Sequence, residues 1–102
     1  MSILEVREGV QKQTATEIIV YSVDTSNWVA SPTNPVATVW DESTGTDVTT
    51  VVMPSSTPSV GTNTITLSPL KLLTVGRVYR VEVAFTVGAS TYECYFRVKC
   101  EV

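Results

Sequence analysis

The C-terminal end of the chain alternates strictly in polarity. From Tyr92 to Val102 the even positions are Tyr92, Cys94, Phe96, Val98, Cys100 and Val102, and the odd ones are Glu93, Tyr95, Arg97, Lys99 and Glu101. Successive side chains of a strand point to opposite faces, so this pattern specifies a strand with one face in a core and the other in solvent. Just upstream, Val78, Tyr79, Val81, Val83, Phe85 and Val87 are interleaved with Arg80, Glu82, Ala84 and Thr86. The connection from Val87 to Thr91 is short and contains Gly88. The two runs predict an antiparallel β-hairpin.

Shorter strands are expected at turn-separated intervals before it: Ser2–Arg7, Glu17–Val23, Val36–Asp41, Val48–Met53 and Asn63–Ser68, the last with Ile65 and Leu67 facing in. Val and Thr make up a third of the chain, and both are β-branched residues that fit a pleated, half-buried surface. The gaps carry turn chemistry, with Pro32, Pro35, Pro54 and Pro58 expected to bound strands because proline donates nothing to a ladder. The one helix-tempting stretch, Pro69–Leu73, is short and soon followed by Gly76. Seven short strands in a single domain spanning residues 1–102 predict an all-β, two-sheet sandwich of immunoglobulin or fibronectin type. A bulged barrel is the alternative. The sandwich is favoured by Leu73, Gly76 and Tyr79, which have the L-x-x-G-x-x-Y spacing of a tyrosine corner. There the Leu closes the core, the Gly permits the bend and the Tyr hydroxyl bonds back to upstream backbone.

The same residues exclude much chemistry. The chain contains no histidine, which removes the usual general base and the commonest metal ligand. Cys94 and Cys100 lie on the inward face of one strand, about 20 Å apart if extended, far beyond the ~5.5 Å that a disulfide spans. They read as small, reduced, buried hydrophobes. Asp41, Glu42 and Asp47, with Asp24, are the carboxylates that a calcium ion could use, but next to Gly45, Ser43 and Thr44 they read as ordinary turn residues. No Gly-rich phosphate loop is present. The expectation is a protein that is not an enzyme and that uses no metal and no cofactor. A net charge of −3 argues against partners such as nucleic acid or an anionic membrane. No stretch is apolar for long enough to span a bilayer, and the N-terminus carries no basic and apolar signal pattern, so synthesis in a cytoplasm is expected.

Trp40 and Trp28 are the two residues with an open role. Each reads either as cover for the core or as an exposed binding aromatic. At Trp40 strand parity does not decide, because Ala37 and Val39 could equally be the inward pair.

Lys12-Gln13, Glu17, Tyr21, Asp24, Ser26 and Trp28 form the pattern K-Q-x3-E-x3-Y-x2-D-x-S-x-W, followed near the other end by Gly76–Val81 and Glu93–Val98. This combination resembles the short, roughly 100-residue immunoglobulin-like structural proteins of tailed bacteriophages and prophages, of the fibre-tail adaptor or head decoration type. The chain departs from that family at Asp41–Ser59, which is longer and richer in Thr and Ser. The resemblance implies a virion protein, decorating the capsid or joining tail and fibre through contacts with other phage structural proteins, and multimeric in the particle. Loops carry such contacts in rigid scaffolds. The expected contact residues are therefore Asn27, Trp28 and Val29, with Pro54, Ser55 and Ser56. Pairing of the first or last strand with a neighbour's sheet is a second mode. Competing readings are a carbohydrate- or receptor-binding module that uses Trp28 or Trp40 as a stacking platform, and a domain of a larger bacterial surface protein.

Overall fold

The computed structural model describes residues 3–5, 10–25, 31–53, 55 and 57–101, with backbone alone at 3–5. The described chain is all-β, with one four-residue helix. Its strands are β1 (Ile3–Glu5), β2 (Gln11–Gln13), β3 (Ser22–Asp24), β4 (Thr33–Asp41), β5 (Thr46–Asp47), β6 (Ser59–Val60), β7 (Thr64–Thr66), β8 (Val78–Val87) and β9 (Ser90–Cys100); the helix α1 is Thr49–Val52.

The hairpin β8–β9 is the backbone of the larger sheet. Its register runs from Val78 opposite Lys99 to Val87 opposite Ser90, so the turn is the pair Gly88-Ala89. Gly88 has φ +59°, the left-handed geometry that a two-residue hairpin turn needs and that glycine adopts without steric cost. β4 adds antiparallel to β8, and β5 to β4. On the other side, β1 and β2 take two stretches of one edge of β9, both parallel to it. The smaller sheet is antiparallel in the order β3-β7-β6.

The inner faces of both sheets share one core, with Val23 and Ile65 from the small sheet and Val39, Val81, Phe85 and Val98 from the large one. Burying side chains of this size stabilises by roughly 1.5–3 kcal/mol each. Along β9 the even positions Cys94, Phe96, Val98 and Cys100 are buried, as the alternation requires.

Several expectations fail on the way in. Nine described strands replace seven. Glu17–Val23 is a strand only over Ser22–Asp24, preceded by an isolated bridge from Ile19 to Leu70. The ladder breaks because Ser22 pairs with Thr66 while Ile19 pairs with Leu70, leaving an extra residue at Ser68-Pro69, and Pro69 has no N–H to offer. Val48–Met53 is not a strand but holds α1. Asp47, just before it, accepts from the Thr49 N–H at 3.0 Å and from the Thr49 hydroxyl at 2.6 Å. The Thr49 hydroxyl oxygen in turn accepts from the Val39 N–H at 2.8 Å. A turn of helix thus supplies the partner that β5, two residues long, does not reach. Pro69–Leu73 contains no helix. Pro35 lies inside β4 and not at its boundary, beside a register shift between Thr33 and Val36; a bulge is where a strand tolerates a residue without a donor. β2, β5 and β6 are additions to the expected set: Gln11–Gln13 and Ser59–Val60 show no polarity alternation, and Thr46–Asp47 reads as part of a polar turn. Among the described residues no helix is long and apolar enough to cross a membrane.

Candidate functional site

The outward positions of the larger sheet bring together the residues best suited to make contacts. The register of β4, β8 and β9 sets Trp40 opposite Arg80, Arg80 opposite Arg97, and Glu82 opposite Tyr95. Like charges directly opposite one another destabilise a sheet, and the structure offsets this pair in two ways. The Arg80 guanidinium lies 3.9 Å from the centre of the Tyr95 ring and that of Arg97 lies 5.6 Å from it, a favourable cation–π arrangement. Each arginine also has a carboxylate: Arg97 Nε donates to Glu42 at 3.1 Å, and Arg80 Nε lies 3.0 Å from Glu82. The Arg80 Nε is buried and makes no well-angled hydrogen bond, so that pair is held by charge rather than by direction. Glu82 also accepts from the Trp40 indole N–H at 2.9 Å.

Trp40 is therefore half-buried on the outer face, while Ala37 and Val39 are the inward pair. With Asp41, Glu42, Gly45, Arg80 and Glu82 it lines an open groove of about 590 Å³. Trp, Tyr and Arg are the residues that most often carry binding energy at protein interfaces. Here they are already oriented by their neighbours, which reduces the ordering cost of a contact.

The remaining candidates divide. Asn27, Trp28, Val29, Pro54 and Ser56 lie outside the described residues. Ser55 is exposed, and its hydroxyl accepts from the Thr57 N–H at 3.2 Å, a local turn. The Tyr79 ring is buried and its hydroxyl accepts from the Thr74 N–H at 2.8 Å; Leu73 is buried beside it and Gly76 has φ +86°. Of the four carboxylates considered for calcium, Asp24 ends β3, and the other three are engaged separately: Asp41, buried, with Arg77 and the Ser43 N–H, Glu42 with Arg97, and Asp47 with Thr49. Among the described residues no three His, Cys, Asp or Glu side chains group to hold a metal. Both thiols are free and buried, and burial pushes Cys94 up to about 11 and raises Cys100 as well. A thiol held protonated in this way is a poor nucleophile.

The pattern K-Q-x3-E-x3-Y proves to be a polar lock. Gln13, 2% exposed, donates from Nε2 to the Leu70 carbonyl at 2.7 Å and to the Glu17 carbonyl at 2.9 Å, and its Oε1 accepts from the Tyr21 hydroxyl at 3.0 Å. The Glu17 carboxylate accepts from the Thr14 N–H at 2.8 Å. The Tyr21 ring tilts onto Phe96, centroids 5.2 Å apart, and burial raises its hydroxyl pKa, with the Glu17 charge adding to the effect.

From the sequence, the mixed charges Arg80, Glu82, Glu93, Arg97, Lys99 and Glu101 of the hairpin read as a solvated face, with no grouping around Tyr95. A signal for their grouping was present: a two-residue turn at Gly88-Ala89 sets the hairpin register, and with it the pairs 80/97 and 82/95. Glu42 and Trp40 join only through β4, which no local pattern aligns. Comparison with protein-family models, with curated proteins and with solved structures finds no match to this chain.

Proposed function

We propose that the chain is a non-enzymatic structural protein of a tailed-phage virion, a capsid decoration or tail–fibre adaptor, with an immunoglobulin-like sandwich that works by protein–protein contact. The strand orders support the immunoglobulin-like assignment. The sequence β9-β8-β4-β5 corresponds to G-F-C-C′ and β3-β7-β6 to B-E-D, the two sheets of a variable-type domain. The observation that carries the functional reading is the pre-paired outer face of Trp40, Arg80, Tyr95 and Arg97. Its charges already have internal partners, so covering them with another protein leaves few groups unpaired. The virion assignment itself comes from the resemblance of Gln13, Glu17, Tyr21 and the two C-terminal strands to phage structural proteins.

A carbohydrate-binding module is the second reading, favoured by the groove in which Trp40 stands beside Arg80, Glu42 and Glu82. Quantitative mass spectrometry of purified particles separates the two. Many copies per particle, lost on Trp40→Ala or Tyr95→Ala with the fold intact, support the structural protein. Particles without the chain, together with a glycan that quenches Trp40 fluorescence, overturn it.

A further inference from the structure

Sandwich domains protect their sheet edges, because a row of unpaired N–H and C=O groups is a template for another strand. Most edges here are protected. β5 and β6 are two residues long, with Pro58 and Gly61 flanking β6. The free edge of β9 is taken by β1 and β2, each three residues long and β2 carrying Lys12, so this side of the large sheet ends in short edge strands. β3 differs. Among the described residues only β7 lies beside it.

The odd positions of this segment face inward across the small sheet. Ile19 exchanges both backbone bonds with Leu70, the Tyr21 carbonyl accepts from Leu67, and the Thr25 N–H donates to Asn63. Backbone direction alternates along a strand, so the N–H and C=O groups of Ile18, Val20 and Ser22 point outward from the edge. Two side chains at those positions are apolar and open to solvent, Ile18 at 66% and Val20 at 57% exposure. Neither lysine nor proline occurs between Glu17 and Thr25. Lysine and proline, two of the usual devices against edge pairing, are thus missing along this edge.

We propose that β3 and the residues before it pair antiparallel with the same segment of a second copy, across a twofold axis at Val20. This joins two three-stranded sheets into one of six strands. What the edge lacks among the described residues is a ladder partner, so its occupant is an extended strand, and the segment's own sequence suits that role. With Val20 opposite its counterpart, Ile18 stands opposite Ser22 and diagonal to Val20 of the other copy. The apolar side chains then cover one another, and no like charges meet. Outward groups on both strands place the two Val20 residues in a hydrogen-bonded pair, with Cα atoms about 5.5 Å apart. So short a contact falls below the ~800 Å² per partner of a standard interface, so the dimer is a weak one whose population rises with protein concentration. The inference stands independently of the virion reading, since it concerns the purified chain alone.

Sedimentation equilibrium of the purified protein from about 1 μM to 1 mM tests it. A monomer–dimer equilibrium is expected, weakened at least tenfold by Val20→Pro, which deletes the outward N–H, and equally by Val20→Lys, which keeps the backbone. Mild oxidation of Val20→Cys should give a disulfide dimer, because the Cα spacing suits that bond, whereas Ser22→Cys should not. A wild-type chain that stays monomeric to 1 mM overturns the proposal, as does a dimer that survives both Val20→Pro and Val20→Lys. A dimer abolished only by Trp40→Ala overturns it as well, and assigns association to the outer face of the large sheet.

Discussion

Replacing Gln13 by Leu tests whether the buried amide holds the two sheets together. The side chain is almost fully enclosed and makes three hydrogen bonds, to the Leu70 and Glu17 carbonyls and from the Tyr21 hydroxyl. Their losses are unequal. The Leu70 carbonyl keeps the Ile19 N–H as a donor, so its loss costs about 0.5–1 kcal/mol, the net worth of one bond. Glu17 is exposed and water restores its carbonyl. The Tyr21 hydroxyl is part-buried and loses its acceptor, costing about 1–2 kcal/mol as a desolvated group. Leucine returns part of this through apolar burial, though its branched shape does not match the amide. Before that return the lost bonds sum to about 1.5–3 kcal/mol, which sets the upper range of the cost and a fall in Tm of up to about 6–24 °C for a domain of this size. Equilibrium urea unfolding followed by tryptophan fluorescence reads it directly. Tyr21→Phe alone should cost about 1 kcal/mol, and the double variant should cost less than the sum by about 1 kcal/mol, since both remove the same bond. Gln13→Leu within 0.5 kcal/mol of wild type, or a coupling of zero, refutes the lock.

Tyr79→Phe leaves the Thr74 N–H without its acceptor and should cost about 1 kcal/mol in the same assay; an unchanged midpoint means that the hydroxyl does not hold the corner. Thr49→Val removes the acceptor of the buried Val39 N–H and the hydroxyl that donates to Asp47, while the Thr49 N–H keeps its bond to Asp47, and should cost about 2 kcal/mol by thermal unfolding. The Asp47 pKa is lowered first by the Thr49 hydroxyl and then by the Thr49 N–H, so its contribution is present above the ordinary carboxylate range and disappears as pH falls through the lowered value; Thr49→Val, which deletes the hydroxyl alone, should flatten part of that acid limb. Cys94 stands at about 11 in the folded chain against an ordinary 9.0. Its neutral form is thus favoured by folding, which keeps stability intact below pH 9 and removes about 2–3 kcal/mol of it between pH 9 and 11. Cys94→Ala should abolish that part of the alkaline loss, and native labelling at pH 8 should run far below the denatured rate.

What was legible in the chain is what local physics decides. Alternating polarity sets the faces of β8 and β9, because a strand's side-chain period is two whatever surrounds it. The positive φ at Gly88 and Gly76 marks turns for the same local reason. The inward pair Ile65 and Leu67 followed from parity as well, and both are buried. Tertiary structure decided the rest. Thr49–Val52 has β-branched residues throughout and reads as a strand, yet it forms a helical turn, since the Val39 amide needs a partner at that point and the Thr49 hydroxyl supplies it. Trp40 points outward because β4 is aligned by β8, a partner some forty residues away in sequence, and Glu82 on that partner captures the indole. Gln13, a polar residue on a three-residue strand, is buried because its partners arrive from Leu70, Glu17 and Tyr21. The contact face has the same origin: Trp40, Glu42, Arg80, Glu82, Tyr95 and Arg97 lie on or beside three strands, and only sheet register makes them neighbours. Periodicity assigns each residue a side of its own strand, but which residues stand together on that side depends on pairing between distant segments, and no local pattern encodes it.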